Sequence, residues 1–119
     1  MDELAKIYKS LSTAPALLPL LAEGAAGVLA DLTDYSGRYP VVVYSLISAV
    51  PVLFADDAEA AERLTVQISI VTEDGADAEI VAAVLPVLTA LGWMRYSINR
   101  VTDGDKRVTA LRFVLTKES

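Results

Sequence analysis

The chain has 119 residues, 54% of them hydrophobic, and a formal charge of −6 at pH 7. This length supplies one domain with a small core, and the acidity argues against a surface that holds nucleic acid through its phosphates or docks on anionic membranes. Histidine and cysteine are both absent, which removes the commonest general base, the thiol nucleophile, the usual transition-metal ligands and any disulfide framework.

In chain order, Leu4, Ile7, Tyr8 and Leu11 recur at helical spacing and predict a helix over Asp2–Leu11, whose acidic start suits the helix dipole. The run Ser12-Thr13-Ala14-Pro15 ends it. Thr13 is placed to cap a second short helix over residues 16–23, with Pro19 in its first turns and Gly24 as its stop. Residues 27–35 read as an extended or loop segment. The apolar stretch 14–32 is interrupted by Pro15, Pro19, Glu23, Gly24 and Asp31, short of the roughly 20 apolar residues a membrane span needs. Asp2 and Glu3 place negative charge where a secretion signal needs positive charge. A soluble protein that stays where it is made is expected.

Tyr39-Pro40-Val41-Val42-Val43-Tyr44 opens a β-rich stretch over residues 39–53, with the valines suited to a strand buried on both faces and Pro51 to an edge or an interruption. Residues 55–63 read as the exposed tip of a long hairpin. The return strand alternates, with Leu64, Val66, Ile68 and Ile70 facing one way and Thr65, Gln67 and Ser69 the other. A helix over residues 76–91 follows, with Asp74 as its cap, Asp77 near the position that completes a capping arrangement, and a stripe of Ile80, Val84, Leu88 and Leu91. Pro86 should kink it and Gly92 should stop it. Residues 93–101 and 107–116 are strands joined by Thr102-Asp103-Gly104-Asp105, with an Asp-Gly pair in the turn. The expectation is a single α+β domain over residues 1–119: a mainly antiparallel sheet with a long β-hairpin, one helix packed on the sheet, and short N-terminal helices. Ile68, Ile70, Val84, Leu88 and Phe113 should meet where that helix lies on the sheet.

Two carboxylate clusters stand out. Asp56, Asp57, Glu59 and Glu62 lack the spacing and the turn glycine of a calcium loop, and read as a solvated hairpin tip that discourages edge pairing. Glu73, Asp74, Asp77 and Glu79 sit at a helix N-terminus, where the dipole accounts for them. Tyr35, Tyr39, Tyr44, Trp93 and Tyr96 lack the basic surround of a base-stacking surface and read as core and interface aromatics. Gly24, Gly27 and Gly37 fit no phosphate-binding pattern. No catalytic, cofactor-binding or metal-binding residue is therefore expected, and no cofactor.

The apolar content, although inflated by alanine, exceeds what a monomer of this size hides and points to an extensive subunit contact. Arg95, Arg100, Lys106, Arg107 and Arg112 concentrate positive charge on the last hairpin, while acidity concentrates mid-chain. That segregation suits a head-to-tail ring. Tyr39, Val41 and Val43 on the long hairpin, with Arg95, Arg100 and Arg112, are the candidate subunit-interface residues.

In this order and spacing the chain resembles the small tail-completion proteins of long-tailed bacteriophages and prophages, the tail terminators or head–tail joining proteins. The resemblance rests on the short N-terminal helical region, the Tyr39-Pro40-Val41-Val42-Val43-Tyr44 opening, Val66-Gln67-Ile68-Ser69-Ile70, the helix over residues 78–92, and Thr109-Ala110-Leu111-Arg112-Phe113. It spans nearly the whole chain, with Pro86 as a departure from the family pattern. It implies a non-enzymatic α/β subunit that forms a ring, commonly a hexamer, at the head-proximal end of the tail tube. Its implied partners are other copies of itself, the tail-tube protein and a head-completion protein, with DNA passing through unbound and no membrane involved. The implied location is the virion tail, after assembly in the host bacterial cytoplasm. The alternative is a small-ligand-binding or dimeric interaction module of a soluble bacterial protein.

Overall fold

The computed structural model describes residues 2–30, 35, 37–53 and 60–118. Helix α1 (Asp2–Leu11) leads through two 3-10 turns, Leu18–Leu20 and Gly24–Gly27, to β1 (Val28–Ala30). Then come β2 (Val41–Leu53), β3 (Ala60–Thr72), α2 (Ala78–Ala90), β4 (Met94–Asp103) and β5 (Lys106–Glu118). The five strands form one sheet in the order β1-β2-β3-β5-β4. Every neighbouring pair is antiparallel except β1–β2. The chain is thus α+β with a mainly antiparallel sheet, as its pattern predicts. Strands β2, β3 and β5 each run 13 residues, and at about 3.3 Å per residue, or about 43 Å each, they set most of the 51 Å long axis of the molecule.

The core lies between one sheet face and the two helices. Leu64, Val66, Ile68 and Ile70 are completely buried on that face, and by register Val66 sits opposite Phe113 and Ile68 opposite Leu111. Helix α2 adds Ile80, Val84 and Leu88, α1 adds Ile7 and Leu11, and Leu17 and Leu21 close one end. Ile68, Ile70, Val84, Leu88 and Phe113 are all buried in this cluster, as expected. Trp93, just ahead of β4, belongs to it as well.

Several local expectations are corrected. The segment expected as a second helix is not an α-helix, because Pro19 falls at the start of a 3-10 turn only three residues long. Thr13 does not cap it: its hydroxyl donates to the Lys9 carbonyl at 2.7 Å and closes α1 instead. Residues 27–35, by contrast, begin extended as expected: Val28–Ala30 forms β1, parallel to Val42–Tyr44 of β2. The tip expected at 55–63 is shorter than predicted, since β3 starts at Ala60 and Ala61 is buried; Asp56, Asp57 and Glu59 lie outside the described residues.

Asp74 does not cap α2. Its carboxylate accepts from the Ala76 N–H at 3.0 Å, one turn too early, and Asp77 occupies the cap position without a side-chain cap bond. Helix α2 runs unbroken through Pro86, which lies on its exposed side. The β4–β5 turn centres on Gly104 and Asp105 rather than on an Asp-Gly pair, because Asp103 and Lys106 are still paired. Gly104 adopts φ 64° there, a left-handed conformation that glycine enters without a side-chain penalty. Pro51 behaves as expected of an edge residue: β1 pairs β2 only at Val42–Tyr44, so the outer edge of β2 around Pro51 has no strand partner among the described residues.

Candidate functional site

Both helices lie on one side of the sheet, leaving the other side to be covered by loops or left open. At one end it is covered. Val41, Val43 and Val71 form a small second cluster against Tyr35, Tyr39, Leu29 and Val108. Tyr35 and Tyr39 meet edge to face at 5.4 Å, and the Lys106 ammonium sits 4.8 Å above the Tyr39 ring. The peptide between Tyr39 and Pro40 is cis.

The other end is open. Register places Ser48, Thr65, Val114 and Met94 in one row across β2, β3, β5 and β4, with Gln67, Arg112 and Ser97 in the next. A groove of about 800 Å³ runs over this half of the face. Two β-bulges, one between Leu46 and Ser48 and one between Arg95 and Ser97, break the pairing on its two sides. A bulge adds a residue that opposes nothing and re-aims its side chain, and the residues inserted here are Ile47 and Tyr96, both lining the groove. Tyr96 is 68% exposed and Met94 74%, far more than apolar side chains of that size keep in a core. The outer edge of β4, at the far side of the sheet, has no strand partner among the described residues.

The groove is cationic. Arg63, Arg95 and Arg112 line it and, among the described residues, no Asp or Glu does. Arg112 donates from Nε to Gln67 Oε1 at 3.1 Å, and Gln67 Nε2 donates on to Ser69 Oγ at 2.9 Å. Such a neutral relay fixes the guanidinium without neutralising it.

The candidate interface residues therefore divide. Arg95 and Arg112 reach the open groove. Val41 and Val43 are buried inside the subunit, with Tyr39 packed against them, so they shape the covered end rather than offering it to a neighbour. Arg100 lies elsewhere: its Nε donates to Asp77 Oδ2 at 3.2 Å, and the Thr109 hydroxyl donates to the same oxygen. Lys106 is engaged too, with Asp105 at 3.0 Å and Glu73 at 3.8 Å. The basic hairpin is thus partly neutralised within its own subunit; Arg95 and Arg112 lie on the open face, whereas Arg107 lies with Arg100 near Gly75 and Asp77. The two bulges carry no composition signal, so the placement of Ile47 and Tyr96 on this face escaped sequence reasoning; only the residue count between paired positions reveals it.

The second carboxylate cluster is structural in this geometry, with Asp77 facing β5 and Asp74 holding the turn before α2. Burial pushes the Asp77 carboxyl up, but the Thr109 and Arg100 hydrogen bonds and the Arg100 charge outweigh it and hold the group below its ordinary value. Among the described residues no group of three His, Cys, Asp or Glu side chains could hold a metal ion, and no helix is long and apolar enough to cross a membrane.

No protein-family model and no curated protein sequence matches the chain. Its fold, however, is shared with a chain from the virion of a native gene transfer agent particle: the two superpose with a TM-score of 0.68 at 20% sequence identity, over 97% of this chain and 93% of the other.

Proposed function

We propose that this chain is a structural subunit of a phage-like particle, forming a ring at the head-proximal end of the tail that ends tail-tube polymerisation and joins tail to head. The observation that carries the reading is the shared fold, along nearly the full length of both chains, with a component of a gene transfer agent virion. A ring of copies, six in the reading favoured by the sequence resemblance, uses what the isolated subunit leaves unused: the groove, the exposed Met94 and Tyr96, and the free edge of β4. Heterologous contacts of this kind close into rings when the rotation between neighbours closes. The tail-tube protein and a head-completion protein are the further partners. An acidic subunit suits a channel through which DNA passes, since attraction to phosphates would hold the duplex in place. No catalytic role is assigned; the carboxylates best placed for one, at the start of α2, are tied into the fold.

The test is genetic. Deleting the gene from its particle-producing host should give tails that fail to join heads, many of abnormal length, when lysates are viewed by electron microscopy. Normal particles from the deletion strain would overturn the proposal. A purified subunit that stays monomeric would not, because docking on a tail supplies free energy for closure.

A further inference from the structure

We infer that the free subunit pairs β4 with β4 of a second copy, antiparallel about a two-fold axis between the two Asn99 residues, so that two five-stranded sheets join into one continuous sheet. The contact is independent of the ring reading above. It follows from the unequal protection of the two outer strands. β1 is three residues long, and shortness is one way a protein keeps an outer strand from pairing further. β4 has ten residues, none of them buried, and contains neither lysine nor proline. Its one irregularity, the bulge between Arg95 and Ser97, lies near its start and leaves Ser97–Asp103 regularly paired with β5. The outer edge of such a strand presents a row of backbone donors and acceptors that another extended strand satisfies.

Facing and charge select a second copy as that strand and fix the register. Ser97, Asn99, Val101 and Asp103 share one face by the period of a strand. Val101 lies opposite Val108, which packs on the side away from the helices, so all four face that way. Antiparallel self-pairing keeps the two faces in step only when it is centred on a residue. Centred on Arg100, it would set like charges face to face, which destabilises a strand pair. Centred on Ile98, it would bring Arg95 to the level of Val101. Centred on Asn99, it brings Arg95 of each copy to the level of Asp103 of the other, an opposite-charge contact made twice between exposed side chains. The same register sets Val101 opposite Ser97 and beside the bulged Tyr96, so it covers two exposed apolar side chains in each copy. The contact is isologous and closes at two copies. In the ring reading, this pair parts when the subunit docks on a tail.

The chain has no native cysteine, so single introduced cysteines locate the axis. In this register the two residues at position 99 face each other with Cα atoms about 4.5–5.5 Å apart, within the roughly 7 Å that a disulfide spans. The two at position 97, like the two at 101, are offset by four residues, or about 13 Å. Oxidised Asn99→Cys should therefore form covalent dimers at least tenfold faster than Ser97→Cys or Val101→Cys alone. A mixture of the Ser97→Cys and Val101→Cys chains should crosslink readily. Analytical ultracentrifugation of the parent chain should show a monomer–dimer equilibrium. Arg95→Glu should raise its dissociation constant several-fold, and adding Asp103→Arg to that chain should restore it. Asn99→Lys, which sets two ammonium groups across the axis, should raise it at least tenfold. All of these positions lie outside the core, and far-ultraviolet circular dichroism checks that each variant folds. A parent chain that sediments as a monomer at every concentration, or Asn99→Cys that crosslinks no faster than Ser97→Cys, would overturn the inference. If head–tail joining requires the gene while the free subunit is monomeric, the virion role stands and this contact falls. A dimer from a gene that particles do not need keeps the contact and removes the role.

Discussion

Lys117 donates to both carboxylate oxygens of Glu3, at 3.2 and 3.1 Å, tying the end of β5 to the first turn of α1 across 114 positions of sequence. Glu3 is buried, and the Lys117 hydrogen bonds, opposed by burial, hold its carboxyl below the ordinary value. A ten-residue helix has little stability alone. Helix α1 persists because Ile7 and Leu11 enter the core while this ion pair fixes its start. Lys117→Ala should leave the Glu3 carboxylate short of a partner and lower stability by about 1 kcal/mol, allowing for the exposure of the lysine. Urea unfolding of the variant, with loss of α1 amide protection in hydrogen exchange, is the check.

Glu3 and Asp77 both have folded-state values lowered from their ordinary ones. The sign follows from linkage: each contributes stability that is fully present above its unfolded value, about 4, and is lost as pH falls through the lower folded value. Stability should therefore be flat from neutral pH down to about 5 and fall below about 4. Asp77→Asn should lower stability at pH 7 and make the acid limb shallower. Urea midpoints measured between pH 2 and 8 would show this, and an acid limb identical to that of the parent chain would remove Asp77 from the account.

Leu88 has no exposed surface and lies between α2 and the sheet. Leu88→Ala removes buried carbons and leaves a cavity, so it should cost on the order of 2–5 kcal/mol. Equilibrium unfolding would measure it; a loss below 1 kcal/mol would mean that the site collapses around the smaller side chain.

The strand pattern of the chain was legible because its chemistry is local. Alternation from Leu64 to Ile70 set the buried face of β3, and the stripe Ile80–Val84–Leu88 set the face of α2; both lie in the core. What escaped the sequence was decided by distant residues. Val28–Ala30 is a strand because Val42–Tyr44 lies beside it. Asp77 is anchored by Thr109 and Arg100, 32 and 23 positions away, so its tertiary partners took it out of a capping role that local spacing favoured. For the candidate surface, Arg95 and Arg112 were legible as charge, whereas the Ile47 and Tyr96 bulges depend on how two strands happen to register.

Gly104 turns the β4–β5 hairpin at φ 64°, with open space where a side chain would go. The cost of Gly104→Ala is thus conformational rather than steric crowding by neighbours, and should be about 1 kcal/mol. Gly104→Asn should cost less, because asparagine tolerates the left-handed region. Thermal midpoints of the two variants should rank in that order, and equal losses would count against this conformation at the turn.

The open face predicts a separation between folding and assembly. Met94 and Tyr96 are 74% and 68% exposed in the subunit, so Met94→Ser with Tyr96→Ser removes little buried surface and should change stability by no more than about 0.5 kcal/mol each. Val41, completely buried beneath Tyr35 and Tyr39, behaves oppositely: Val41→Ala should cost roughly 1–2 kcal/mol. If the groove is where copies meet, the serine variant should fold normally yet fail to restore head–tail joining in a deletion strain. The alanine variant, once folded, should restore it. Urea unfolding and particle yield, measured on the same pair, read the two effects independently. A serine variant that restores full particle yield would show that Met94 and Tyr96 lie outside the working interface, however exposed they are.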